Sequence, residues 1–233
     1  MTEEPVDFTA ALDVLTALAA RSKPLSPAEY RAFALKDQVF PMLQRWGFEP
    51  RFQCEHAKLH PKQAATLNSV RGMMKRKGAI VALVGERGLG KTTIASLFAI
   101  DKAWSNYHEA MKESPLRFES VIYRKCAKLI ARYKPLFSDF GSIETESLLE
   151  SFEYLAKEQE YVVIDELHDC DDLKMKTRVL TDLIDRRYAC RRDTILIANQ
   201  TPADFEATIG DSILSRLNEH GGIIECKWPS YRQ

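Results

Sequence analysis

The run Gly85-Glu86-Arg87-Gly88-Leu89-Gly90-Lys91-Thr92 constrains this chain more than any other. Glycines at these spacings let consecutive backbone N–H groups turn inward around a phosphate, and a following Lys-Thr pair supplies a cation and a hydroxyl. The flanks agree with that reading. Ala79-Ile80-Val81-Ala82-Leu83-Val84 is an apolar run of strand length, and Thr92 to Ala103 continues with helical periodicity. A glycine turn of purely structural purpose explains the glycines but not Lys91-Thr92. The expected ligand set is Gly85 to Thr92 with Thr93, Lys91 reaching the β- and γ-phosphates of ATP and Thr92 offering its hydroxyl to Mg2+.

Four further short runs end in similar places. Ser120–Tyr123, Tyr161–Asp165, Thr194–Ala198 and Gly222–Cys226 alternate with helical patterns, so the expected fold is α/β, a five-stranded parallel sheet flanked by helices. Tyr161-Val162-Val163-Ile164 closes on Asp165-Glu166, which places Asp165 at the sheet's carboxyl edge to hold the magnesium shell and Glu166 to orient or deprotonate an attacking water. Thr194–Ala198 closes on Asn199, a candidate sensor of the γ-phosphate or simply an asparagine that tolerates a turn. Arg216 falls on a short helix beginning near Asp211. It is either a finger reaching a neighbouring subunit's nucleotide or a salt-bridged helical arginine.

Upstream, Ser26-Pro27-Ala28-Glu29 resembles a capping box with proline at the first helical position. Pro41 must kink or divide the helix that follows before Gly47 ends it. Residues 1–50 are accordingly expected to form a small helical unit, 51–60 a linker and 61–233 the nucleotide-binding domain. A helix carrying Gln63, Leu67, Val70 and Met74 should stop at Lys75-Arg76-Lys77-Gly78.

Composition narrows the classes. Of 233 residues, 33 are Lys or Arg and 33 are Asp or Glu, so no global positive field marks a nucleic-acid binder and any DNA contact needs a local patch. Cys54, Cys126, Cys170, Cys190 and Cys226 are scattered without a C-x-x-C pair, which fits a reducing cytoplasm and neither a disulfide framework nor a zinc ribbon. Cys54, His56 and His60 are expected to be packing residues and not metal ligands. Glu3, Glu4 and Asp7 stand where a signal peptide needs a basic stretch, and no apolar run approaches ~20 residues, so a cytoplasmic protein without membrane contact is expected.

The ordered set of phosphate loop, Asp165-Glu166, Asn199 and Arg216 resembles the AAA+ ATPases. Leu183-Ile184-Asp185-Arg186-Arg187, Ser215-Arg216-Leu217, Trp228-Pro229-Ser230-Tyr231-Arg232, and Gly47-Phe48-Glu49-Pro50 with Cys54 resemble the DnaC/IstB branch, most of all DnaC-type replicative helicase loaders. The likeness runs from about residue 45 to the end. It implies N-terminal helices that grip a hexameric DnaB-type helicase, ATPase domains that self-associate in a spiral, engagement of single-stranded DNA, and slow ATP hydrolysis used as a switch. Residue by residue, it implies Asn199 as sensor, Arg216 as finger and Arg232 as a second phosphate sensor, with no helical lid after Gln233. Phe137, beside Arg132, Tyr133 and Lys134, would stack on a base while Lys134 meets phosphate, although an aromatic there is equally a core residue. Leu167-His168-Asp169-Cys170-Asp171-Asp172 is too acidic for a DNA-contacting segment. The arginines Arg186, Arg187, Arg191 and Arg192 meet phosphate or a neighbour, or are solvated helix-end charges. An IstB-type helper of a transposase is the alternative within the branch. A small-molecule P-loop kinase would need an acceptor pocket and lid, and a nucleotide-gated binding module would use the same residues without turnover.

Overall fold

A computed structural model describes residues 27–52, 59–110, 120–138, 143–170 and 172–229. Helix α1 (Pro27–Ala34) starts at the expected proline, a π-helical turn (Leu35–Val39) follows, and α2 (Phe40–Arg45) carries Pro41 in its first turn, where its missing N–H costs nothing. The proline therefore divides the helix, and Gly47 ends it at φ +102°. Helix α3 (Pro61–Met73) opens on a His60 and Gln63 capping box and is stopped near Gly78 at φ +88°.

The five strands are β1 (Ile80–Val84), β2 (Val121–Lys125), β3 (Tyr161–Asp165), β4 (Asp193–Ala198) and β5 (Gly221–Glu225). All pair in parallel, in the order β2-β3-β4-β1-β5. β2 runs two residues past its expected end, which puts Lys125 opposite Asp165. The connecting helices are α4 (Lys91–Ala110), α5 (Cys126–Tyr133), α6 (Pro135–Ser138), α7 (Ile143–Glu153), α8 (Leu173–Ala189), α9 (Pro202–Ile209) and α10 (Asp211–His220).

Two cores sandwich the sheet, and strand alternation decides which residue joins which. Val81, Leu83, Val163, Ile195 and Ile197 meet α3 and α4 on one face, whereas Ile80, Ala82, Val84, Val162, Ile164 and Leu196 meet α5, α8 and α10 on the other. Asp165 follows Tyr161 and Val163 by twos and so emerges on the α4 side.

The boundary expected at residue 50 does not separate two cores. Val39, Leu43, Trp46 and Phe48 are buried in the same cluster as Leu67, Ile94, Leu97 and Val81. Full burial of one such side chain is worth ~1.5–3 kcal/mol, so the helices of residues 27–45 are part of the domain's core. Residues 1–26, the first half of that unit, lie outside the described residues, as do Cys54 and His56 of the linker.

Candidate nucleotide site

The phosphate loop links β1 to α4, and it needs glycine for steric as well as conformational reasons. Gly85, Gly88 and Gly90 sit at φ +140°, +90° and +76°. A Cβ on Gly85 would stand 2.6 Å from the Cys226 carbonyl oxygen, and one on Gly90 would stand 2.8 Å from Gln63 Nε2. Neighbouring elements clamp the loop: Gln63 Nε2 and Trp228 Nε1 both donate to the Leu89 carbonyl, at 3.0 and 2.7 Å. The Glu86 and Arg87 side chains point to solvent, and Thr92 and Thr93 are half-buried.

Lys91 is 4% exposed, and its ammonium donates to the carbonyls of Gly85 and Glu86, each at 2.7 Å. Burial holds its pKa below the ordinary lysine value, opposed by Cys226 and Asp165. Among the described residues this buried cation is bonded only to carbonyls of its own loop, an arrangement that suits an anion. Cys226 lies against this loop, and burial pushes its thiol up to about 12, with Lys91 pulling the other way.

Asp165, also 4% exposed, gathers three donors. Thr92 Oγ1 donates to Oδ2 at 2.6 Å, Tyr123 Oη donates to the same oxygen at 2.9 Å, and the Glu166 N–H donates to Oδ1 at 2.7 Å. With its proton on Asp165, the Thr92 hydroxyl presents lone pairs outward beside a carboxylate. Such hard oxygens suit Mg2+, and the pair fits that ion.

Glu166 adopts φ +58°, a left-handed conformation rare for a residue with a side chain. The bond from its N–H to Asp165 and the Leu167 N–H to Ile197 carbonyl bond, at 3.1 Å, hold the turn. Its carboxylate pairs with Lys125 at 3.2 Å, and Lys125 also lies 3.6 Å from Glu49. Burial alone would lower the Lys125 ammonium, but Glu166 and Glu49 together hold it above the ordinary lysine value.

Asn199 lies at the end of β4, on the same sheet edge, held by His168: its N–H donates to His168 Nδ1 at 3.2 Å and its side-chain amide lies 3.1 Å from Nε2. The structure thus brings together the glycine loop, Lys91, Thr92, Asp165, Glu166 and Asn199 at the carboxyl ends of β1, β3 and β4.

Other expected site residues lie elsewhere. Arg216 on α10 pairs with Asp185 at 3.1 Å, donates to the Ser212 carbonyl at 2.8 Å and covers the Tyr188 ring, so within one chain it is a tethered surface arginine. Arg232 lies outside the described residues. Phe137 is half-buried, packed edge-on to Phe152 with Arg178 over its ring, and Lys134 pairs with Asp172 at 3.0 Å on the surface. Arg187 is neither a phosphate contact nor a solvated charge: it is fully buried and bonded to five acceptors. Arg186 pairs with Asp182 and Glu153, and Arg192 with Glu160.

Sequence reasoning missed Tyr123, Lys125, His168 and Gln63. None sits in a motif, although the extension of β2 by alternation through Tyr123 to Lys125 would have aimed both toward the α4 side. Among the described residues, no helix is long and apolar enough to cross a membrane.

No protein-family model matches the chain. It is 24% identical over 150 residues to the replicative helicase loader DnaC of Buchnera aphidicola subsp. Acyrthosiphon pisum, covering 64% of this chain and 54% of that protein. The match to the replicative helicase loader DnaC of Escherichia coli K12 is 24% over 199 residues, covering 83% and 72%. The chain therefore spans about half the length of the Buchnera relative it matches. Among solved structures, that of DnaI agrees with a TM-score of 0.56 at 16% identity, over 79% of this chain and 95% of that one. AMPPCP-bound DnaA from Aquifex aeolicus agrees with a TM-score of 0.52 at 12% identity, over 78% and 52%. The fold is the parallel α/β P-loop fold shared with the DnaI and DnaA structures, and the resemblance to DnaC-type loaders read from the residues is borne out by these relatives.

Proposed function

We propose that this chain is an ATP-dependent loader of a replicative helicase, using nucleotide binding and hydrolysis as a switch. One observation carries the nucleotide half: a buried lysine bonded, among the described residues, only to its own glycine loop, beside a threonine and an aspartate that share a hydrogen bond at 2.6 Å. The similarity to DnaC loaders carries the rest.

In this reading the ATP phosphates displace the Gly85 and Glu86 carbonyls from the Lys91 ammonium, and the loop N–H groups and the α4 N-terminus take the remaining charge. Thr92 and Asp165 would hold Mg2+, which would supply positive charge to offset that of the phosphates. Glu166 accepts a proton from water once Lys125 ceases to engage its carboxylate. Asn199 turns its amide from His168 toward the γ-phosphate. Arg216 acts on the nucleotide of a neighbouring copy after leaving Asp185, in a self-associated assembly, and Arg232 adds a second phosphate contact. Residues 1–50 contact a DnaB-type hexameric helicase in the cytoplasm, and Phe137 with Lys134 meets single-stranded DNA.

The test mixes the chain with a hexameric replicative helicase and measures complex mass with and without ATP. A complex whose stability depends on nucleotide is expected, and no complex under either condition overturns the loader reading. Glu166→Gln should keep ATP affinity while turnover drops ~10²–10⁴-fold, the usual range for a lost general base. Normal hydrolysis by that variant removes Glu166 from the proton step.

A further inference from the structure

Tyr123 connects two parts of the molecule that the nucleotide reading leaves separate. Its hydroxyl shares Asp165 Oδ2 with Thr92, at 2.9 Å against 2.6 Å. Its ring is fixed from the other side. Phe48 lies 4.9 Å and Phe52 6.4 Å from it between centroids. The Tyr123 N–H donates to the Trp46 carbonyl at 2.8 Å, which covers the outer edge of β2. Gly47 lets the two backbones meet, because a Cβ there would stand 2.6 Å from the Tyr123 carbonyl oxygen and its φ of +102° already favours glycine.

We propose that Tyr123 is the positioning residue of Asp165, and that the Trp46–Phe48 segment fixes Tyr123, so that the magnesium site is set by the end of the N-terminal helices. The inference rests on the nucleotide reading above. Thr92 has two calls on its hydroxyl, the cation and Asp165, whereas Tyr123 has one. When Thr92 reorients, Tyr123 keeps the carboxylate in register with the glycine loop, and the loop is reached without Tyr123 touching phosphate or cation itself. A shift of α2 relative to β2 would move the Tyr123 ring before it moved the loop. The N-terminal helices thereby influence Mg2+ and not the phosphate contacts of Lys91.

The experiment measures binding of a fluorescent ATP analogue by the full chain, first in EDTA and then across a Mg2+ titration, for the unsubstituted protein, Tyr123→Phe and Phe48→Leu. Tyr123→Phe keeps the ring and its packing and removes only the donor. Its affinity in EDTA should equal that of the unsubstituted chain, while the Mg2+ concentration for half-maximal tightening rises roughly tenfold, as for a lost hydrogen bond to a charged acceptor. Phe48→Leu, which loosens the ring and keeps the hydroxyl, should raise it less, in the same direction. A general packing defect would lower affinity in EDTA as well and would overturn the proposal. So would a Tyr123→Phe titration that superimposes on the unsubstituted one, whereas an unshifted Phe48→Leu overturns the link to the N-terminal helices. Absence of any Mg2+ dependence in the unsubstituted protein overturns this proposal and the Mg2+ role of Thr92 and Asp165, whereas absence of binding both in EDTA and in Mg2+ overturns the nucleotide reading itself.

Discussion

Two buried cations occupy opposite ends of the same sheet. At the end where strands begin, the Arg187 guanidinium donates to Thr194 Oγ1 and to the carbonyls of Leu155, Gln159, Glu160 and Asp193. At the end where strands finish, the Lys91 ammonium has two carbonyls of its own loop. Burial pulls Arg187 down to about 9 and Lys91 below its ordinary value. The first network is closed, since its acceptors come from β4, from the π-helical turn Tyr154–Glu158 and from the two residues before β3, and no exchange of partners is open to it. The second can be exchanged for an anion without breaking an element. Burial of charge alone therefore does not mark a functional site; the source and replaceability of the partners does.

The largest effect that could break this comparison is on Arg187. Arg187→Leu would orphan several buried carbonyls, and removing one side of a buried charged network costs ~3–5 kcal/mol. Chemical denaturation should show that loss, and a variant as stable as the parent would mean that the network contributes nothing to stability. Nucleotide affinity of the fraction still folded should not change.

Asp193 comes next, at the same end. Its carboxyl accepts from the Ala79 N–H at 2.7 Å, and burial pushes it up to about 6 from 3.8, with Glu160 adding and Arg187 subtracting. A folded value raised above the unfolded one means that the native chain holds this proton more tightly. Its contribution to stability is then fully present below the unfolded value and is lost as pH rises through about 6. At ~1.4 kcal/mol per pH unit the contribution is on the order of 2–3 kcal/mol. The stability difference between the parent and Asp193→Asn, measured by denaturation from about pH 5 to about pH 7, should shift against the parent as pH rises. A difference that stays constant across this window would show that Asp193 is ionised throughout.

Lys91→Ala sharpens the contrast from the other side. Nucleotide affinity should fall roughly a hundredfold, the scale of a lost charged hydrogen bond, while the melting temperature holds or rises because a desolvated cation is gone. Unchanged affinity by titration calorimetry would remove Lys91 from the site.

What the sequence showed of these two ends follows the same divide. The finishing end was legible because its chemistry lies at strand ends: Lys91-Thr92, Asp165-Glu166 and Asn199 each follow an apolar run. The beginning end was not. Arg187 stands beside Arg186 near a helix terminus and resembles solvated charge, yet it follows Leu180, Leu183 and Ile184 at helical spacing and faces inward with them. That periodicity was available, and the charge obscured it. Tyr123 and Gln63 act across elements far apart in the chain, and no spacing encodes such contacts. The boundary at 50 was drawn because Pro50 and the irregular residues after it suggest a linker, and the core that Val39, Leu43, Trp46 and Phe48 share with α4 had no visible sign in the sequence.

The smallest expected effect concerns how firmly the exchangeable end is held. The Leu89 carbonyl accepts from Gln63 Nε2 and Trp228 Nε1, while Gln63 Oε1 also accepts from the His60 N–H at 3.3 Å. One glutamine thus ties the start of α3 to the phosphate loop, and one tryptophan ties the segment after β5 to the same atom. Gln63→Leu leaves that carbonyl its bond to Trp228, so the loss should be ~1 kcal/mol, or about fivefold in nucleotide affinity. Trp228→Phe should behave alike. The double variant leaves the Leu89 carbonyl without either donor, and an unsatisfied group costs more than one lost bond, so the combined loss should exceed the sum of the two. Additive losses would show that the two clamps act on the loop separately, and that the loop's shape is set by its glycines and not by what grips Leu89.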